Sequence, residues 1–128
     1  MAVTEMVLVD TSIWVAHFKY SENSLIRLLH EDSVLCHPLI IAEVACGTPP
    51  SPRARTLDDM SLLSTSSIAS QTEVLMMIEK HQLYGKGCGY IDIALLCSAL
   101  LTPDTKLWTL DKRLADLSDQ FEVKYSPE

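Results

Sequence analysis

Four acidic residues stand apart from the other charges of this chain. Asp10 closes the apolar run MVLVD, and Asp111 closes LWTLD near the other end of the sequence. Glu43 is the sole charged side chain between Pro38 and Cys46, and Asp92 is the sole one between Tyr90 and Leu101. An isolated carboxylate is costly to bury unless it is paired, hydrogen-bonded or bound to a metal. Four carboxylates with no histidine alongside make the oxygen-only donor set of hard divalent cations, magnesium first and manganese as its substitute, rather than zinc. An ion held this way activates water for hydrolysis, and magnesium tolerates sparse protein ligation because it keeps several waters of its own.

Each acid also has a plainer account. Asp10 and Asp111 follow strand-like segments and could simply cap the next helix. Asp92 falls in the first turn of its predicted helix, where the helix field favours an anion. Glu43 has less shelter, lying well inside its helix. Ser12, two residues after Asp10, and Thr109, two residues before Asp111, are candidate hydroxyl donors to the carboxylates or to a metal-bound water, with Ser12 also a plausible helix cap.

Other chemistries find little support. His17, His30, His37 and His81 are scattered without an H-x-x-x-H or H-E-x-x-H spacing. No G-x-G-x-x-G opens a helix after the first strand, no phosphate loop occurs, and Gly85, Gly87 and Gly89 follow a predicted helix rather than a strand. Cys36, Cys46, Cys88 and Cys97 show no C-x-x-C pair and read as unpaired structural thiols.

These residues must be positioned by an alternation of short strands and helices. Met6 to Asp10 reads as a buried strand, with Thr11 or Ser12 capping a helix through Ile13, Trp14, Val15 and Phe18. A helix is expected from Glu22 to His30, a strand from Ser33 to His37, and a helix from Pro38 to Cys46 ended by Gly47, Pro49 and Pro50. Ser51 and Pro52 resemble a cap and first turn of a helix reaching Met60, followed by a weak strand or loop from Ser61 to Ser67. Ser70 and Glu73 match a capping box before Val74, Leu75, Met77 and Ile78. Tyr90 to Leu101 is long enough to be a helix, blocked by Pro103. A strand from Lys106 to Leu110, a helix from Lys112 to about Ser118 and a last strand in Phe121 to Tyr125 complete the pattern. It predicts an α/β domain with a largely parallel sheet covered on both faces, and acids following strands then sit at the carboxyl edge where such sheets bind ligands.

The 128 residues are expected to form one domain, with no membrane span and no leader in MAVTEMVLVD, hence a cytoplasmic protein. The net charge of −7 excludes binding nucleic acid by bulk electrostatics. An acidic chain can still cut nucleic acid when its carboxylates gather around ions, provided local patches or a second subunit grip the substrate. Lys80, Lys86, Lys112 and Arg113 are candidate phosphate contacts, with Arg53 and Arg55 as another patch; Lys86, Lys112 and Arg113 are the favoured RNA-binding set. Trp14, Phe18, Leu25, Leu28 and Leu29 exceed one thin helical stripe; each individually reads first as core, and part of that face is a candidate groove for a partner helix.

In order, VLVDTSIW, HPLIIAEVACG, GYIDIALLCSALLT and LWTLDKRL resemble the PIN-domain toxins of the VapC type over nearly the whole chain. The resemblance implies a three-layer α/β/α fold with a central, mainly parallel sheet. It implies catalytic and metal-binding roles for Asp10, Glu43, Asp92 and Asp111, with supporting hydroxyls at Ser12 and Thr109. It also implies magnesium-dependent hydrolysis of RNA, often transfer or ribosomal RNA, a homodimer, and silencing by a cognate VapB-type antitoxin; with water as the nucleophile, the expected products carry 5'-phosphate and 3'-hydroxyl ends. Two departures bear on substrate or partner: Leu110 stands where close relatives usually carry arginine, and Cys88 where an aliphatic residue is more usual. The main alternative is a catalytically inactive RNA-binding or antitoxin-sequestering module. A phosphoacceptor receiver fits less well, because Asp10 is followed by Thr11 and Ser12 rather than an acidic partner, and Asp58 falls in a predicted helix. Aspartyl phosphatases usually place a second aspartate where this chain has Ser12.

Overall fold

The computed structural model describes residues 5–127. Its elements are β1 (Met6–Val9), α1 (Thr11–Tyr20), α2 (Asn23–His30), β2 (Val34–Cys36), α3 (Pro38–Cys46), α4 (Arg53–Ser61), β3 (Ser64–Thr65), α5 (Gln71–His81), α6 (Tyr90–Leu101), β4 (Thr105–Trp108) and α7 (Lys112–Gln120). The strands form one parallel sheet in the order β3-β2-β1-β4. Val7, Leu8 and Val9 of β1 are buried, which is why this strand reads as an unbroken apolar run.

Strand order decides where a site can form. The chain steps from β1 to β2 to β3 in one direction, then returns across the sheet to place β4 on the other side of β1. Right-handed crossovers therefore put α1 to α4 on one face and α5 and α6 on the other. The packing agrees, with α3 against α1 and α4, and α6 against α5, β4 and α7. The reversal leaves a crevice beyond the carboxyl ends of β1 and β4, the usual ligand position in open α/β sheets. Val9 pairs with Trp108 at that edge, so Asp10 and Thr109 emerge side by side.

Local chemistry explains the helix limits. In α5, Ser70 Oγ accepts from Glu73 N at 3.1 Å and Glu73 Oε1 accepts from Ser70 N at 2.9 Å, the reciprocal cap that the sequence predicts. Helix α6 buries every residue from Ile93 to Ala99, so its apolar character runs all round rather than along one stripe. At α3, Pro38 takes the first helical position and His37 supplies the cap, its Nδ1 accepting from Leu39 N at 3.0 Å.

Several expectations are corrected. Neither Thr11 nor Ser12 precedes α1; Asp10 holds the N-cap position, and Pro52 holds that of α4 in place of Ser51. The strand after Pro103 ends at Trp108 rather than Leu110, because β1 turns into α1 after Asp10 and offers no further partner. Phe121 to Tyr125 forms no strand, only a single parallel bridge from Lys124 to Leu107. A left-handed residue at Glu122 (φ 63°), two residues after α7, precedes a segment that makes two backbone hydrogen bonds at Leu107. Trp14, Leu25 and Leu28 belong to the core, the first of the two readings open to them.

Candidate active site

Asp10 sits at the head of α1 but its side chain caps nothing. Its Oδ2 instead accepts from Ser12 Oγ and Thr109 Oγ1, both at 2.8 Å. Each hydroxyl in turn accepts a backbone N–H of the β4–α7 connection: Leu110 N to Ser12 Oγ and Asp111 N to Thr109 Oγ1, both at 3.0 Å. Each hydroxyl has one proton, and both protons go to Asp10, so the 3.3 Å approach of Ser12 to Thr109 is contact rather than a further bond. Asp10 is 6% exposed, and its Oδ1 accepts no hydrogen bond from the described residues, yet is not sealed from solvent.

The other acids follow the same pattern. Asp111 caps α7, its Oδ1 accepting from Arg113 N at 2.9 Å and Leu114 N at 3.1 Å. Asp92, in the first turn of α6, accepts from Gly89 N through Oδ2 at 3.2 Å. Glu43 on α3 accepts from Thr11 Oγ1 through Oε1 at 2.7 Å. Among the described residues, each acid is thus held through one oxygen while the other takes no donor from the chain. The helix-cap account fits Asp111, and the helix-start account fits Asp92. Neither fits Asp10 or Glu43.

Electrostatics tie three of the four together. Burial pushes the Asp92 carboxyl above its ordinary value, the Gly89 N–H works against that, and the charges of Asp10 and Asp111 raise it further. No lysine or arginine forms an ion pair with these carboxylates among the described residues; the ion pair found joins Arg27 to Glu31. Uncompensated anions with free oxygens fit a hard divalent cation. No three carboxylate, imidazole or thiolate residues stand within reach of one ion among the described residues. As placed, the site offers an ion fewer than three direct protein ligands and leaves the remainder to water, which magnesium accepts.

Glu43 stands towards the side of the crevice. It lines a cavity of about 400 Å³ with Val15, Phe18, Lys19, Pro49 and Pro50, between α1 and the segment after α3. On the opposite side, Lys86 and Arg113 line a cavity of about 200 Å³ with Asp116, Leu117 and Gln120. Lys112 is exposed at the start of α7 and Lys80 is exposed on α5, whereas Arg53 is committed to the carbonyls of Ala45 and Gly47 at the end of α3. The four cysteines are free, with Cys36 and Cys97 buried, Cys88 half-buried and Cys46 exposed.

Thr11 is the residue that sequence reasoning missed at the site. Its signal was adjacency to Asp10, read only as a cap, and nothing in one sequence shows that the hydroxyl reaches Glu43 across 32 positions.

Comparison with known proteins agrees with this architecture. The family model described as the PIN domain matches residues 7–120. Ribonuclease VapC32 of Mycobacterium tuberculosis, from strains CDC 1551 / Oshkosh and ATCC 25618 / H37Rv, is 39% identical over 109 residues, covering 85% of this chain and 87% of the relative. The solved structure of VapBC-1 from nontypeable Haemophilus influenzae matches in fold with a TM-score of 0.68 at 11% identity, over 95% of this chain and 97% of that one. The chain belongs to the PIN-domain family, in its VapC-type branch. No helix among the described residues is long and apolar enough to cross a membrane.

Proposed function

We propose that this chain is a magnesium-dependent endoribonuclease toxin, with manganese as an alternative ion, acting in the cytoplasm as one PIN-like domain. The observation that carries the reading is the shared pattern of the four acids: Asp10, Glu43, Asp92 and Asp111 come from separate segments to one end of the sheet, each with one oxygen anchored and one free. Asp10 and Asp92 would hold the ion, and Glu43 and Asp111 would complete or orient its shell. A divalent ion bound there supplies charge neutralisation at the phosphate and activation of water. Ser12 and Thr109 fix the Asp10 carboxylate so that its free oxygen keeps one direction. Lys86, Lys112 and Arg113 would grip the RNA backbone.

Two of the four histidines are engaged within the fold, which disfavours the alternative chemistry that passes through a cyclic phosphate. His37 is buried within the fold, and the Nδ1 of His17 accepts from Glu22 N at 3.1 Å. Hydrolysis by water leaves 5'-phosphate and 3'-hydroxyl ends. The relatives' names favour RNA as substrate and a VapB-type antitoxin as partner, and the family resemblance adds transfer or ribosomal RNA as the target. The cavity beside Val15, Phe18 and Glu43 offers such a partner an apolar wall with a carboxylate at its edge. Exposed Ile68, Leu75, Met76, Leu100 and Leu101, on α5, α6 and the segment leading into α5, favour a homodimer through that face.

The test is to sequence RNA ends after brief exposure to purified protein with magnesium, comparing the parent with Asp10→Asn. Specific cuts with 5'-phosphate ends, lost in the variant, are expected. The spread of the acids favours a second reading, an inactive RNA-binding or antitoxin-sequestering module. That reading requires no cutting and no stabilisation by magnesium with all four acids intact.

A further inference from the structure

We infer that Lys86 and Arg113, set across Gly87, form a subsite for a non-reacting phosphate of the RNA strand beside the acidic site. The inference rests on the ribonuclease reading and specifies how an acidic protein grips its polyanionic substrate.

Gly87 has φ +82°, and a Cβ built on it would lie 2.5 Å from Cδ of Arg113 and 2.8 Å from its Nε and Nη1. The arginine therefore lies directly over a backbone position that only glycine leaves open. Lys86, the preceding residue, shares with Arg113 the wall of the 200 Å³ cavity. Two cations from distant parts of the chain thus face one hollow. Neither forms an ion pair among the described residues, although Asp116 lines the same hollow.

Three other cations are already engaged, Arg27 with Glu31, Arg53 with helix-end carbonyls and Lys106 with the carbonyl of Glu122, whereas Lys112, next to Arg113, is exposed. The hollow also adjoins the acids. Burial raises the pKa of the Cys88 thiol, Asp92 and Asp111 raise it further, and Arg113 lowers it, so this cation and those two carboxylates act on one residue. An RNA strand carries a charge at every nucleotide. A strand with one phosphate at the acids must place a neighbour close by, and this pair of cations is available to receive it. Leu110, exposed beside Asp111, supplies no charge of its own, and Arg113 and Lys86 are the two cations that share a hollow there.

The test measures binding of a short labelled single-stranded RNA by fluorescence anisotropy, in the Asp10→Asn background with magnesium, from about 50 to about 200 mM salt. Arg113→Ala and Lys86→Ala are each expected to weaken binding several-fold and to reduce the slope of log K against log salt by about 0.7. Gly87→Ala should reproduce the Arg113→Ala result without removing a charge, with thermal melting to check that it folds. Lys124→Ala, in the separate cavity that Glu5, Arg27 and Glu31 line, should change neither quantity. In the parent, cleavage by Arg113→Ala should lose kcat/KM through KM.

Unchanged affinity and slope in both charge variants would overturn the subsite, as would an equal effect of Lys124→Ala. A loss carried in kcat would overturn it in favour of a direct part for Arg113 at the reacting phosphate. Weakened binding of an acidic peptide with RNA binding intact would overturn it in favour of a protein partner. Arg113-dependent RNA binding without any cleavage by the parent would instead overturn the ribonuclease reading and leave the subsite standing.

Discussion

The Nε2 atom of His37 lies 3.2 Å from Oγ of Ser98, joining the end of β2 to the buried face of α6. The same hydroxyl accepts from Ala69 N at 3.1 Å, so three segments meet on one oxygen. His37 Nδ1 accepts the Leu39 N–H, which fixes the tautomer: the ring is neutral, with its proton on Nε2 directed at Ser98.

A pH dependence of stability follows. Burial lowers the pKa of His37 below its ordinary 6.5, and protonation would place a hydrogen on the nitrogen that accepts from Leu39. The unfolded chain takes up this proton more readily than the folded one. The contribution of His37 is therefore fully present above its unfolded pKa and is lost as pH falls through and below it. Asp92, with its raised pKa, pulls the other way at lower pH, so the quantity to measure is the difference between the parent and His37→Asn. Urea denaturation at about pH 7.5 and about pH 5.5 should show the parent losing more stability than the variant. Equal losses would remove this role.

The clamp on Asp10 predicts coupled losses. Ser12→Ala and Thr109→Val each remove a hydroxyl donating to one carboxylate oxygen and should cost about 1.5 kcal/mol. Both act on the same oxygen, so the double variant should depart from additivity by about 0.5 kcal/mol or more. Independent, additive effects in denaturant titrations would mean that the two bonds do not act as a unit.

Removal of charge at Asp92 should separate stability from function. The carboxyl is disfavoured by burial and by its anionic neighbours, so Asp92→Asn is expected to raise the melting temperature without metal. The parent should gain several degrees on adding magnesium at about one hundred times its dissociation constant, roughly 2.7 kcal/mol by mass action, and lose the gain with a chelator. The variant should gain little. A parent indifferent to magnesium and manganese would contradict the proposed metal site.

Association through the α5–α6 face has a direct readout. Met76 is 66% exposed and Leu101 45% exposed, so a charge at either should be tolerated by the isolated fold. Met76→Asp and Leu101→Asp are expected to shift a dimer to a monomer in sedimentation without lowering the melting temperature at low concentration. A parent that sediments as a monomer would rule out the dimer.

Much of this architecture was legible because its signals are local. Helix α6 runs from Tyr90 to Leu101, as the apolar run and Pro103 predict, and the Ser70–Glu73 box starts α5 where its spacing predicts. The candidate acids were visible for a related reason: a lone charge in an apolar element is conspicuous in any sequence. What escaped notice depends on long-range placement. Thr11 on Glu43, His37 on Ser98 and Arg113 over Gly87 are meetings between segments, and the residue types alone do not announce them. The apolar residues of α1 and α2 left core and groove both open for the same reason, since burial of Trp14, Leu25 and Leu28 is decided by what packs over them. Phe121 to Tyr125 has strand-like composition, but the turn at Glu122 limits its pairing.

The return of β4 to the side of β1 also sets a time order. Synthesis delivers β1, β2 and β3 first, and Asp10 then waits beside an open flank until Thr109 has been made and the last strand docks. Closing that long loop is a late and entropically expensive event. A growing polypeptide that has not yet made β4 accordingly holds Asp10 without its Thr109 donor, and the edge built around that carboxylate forms only once the last strand has docked.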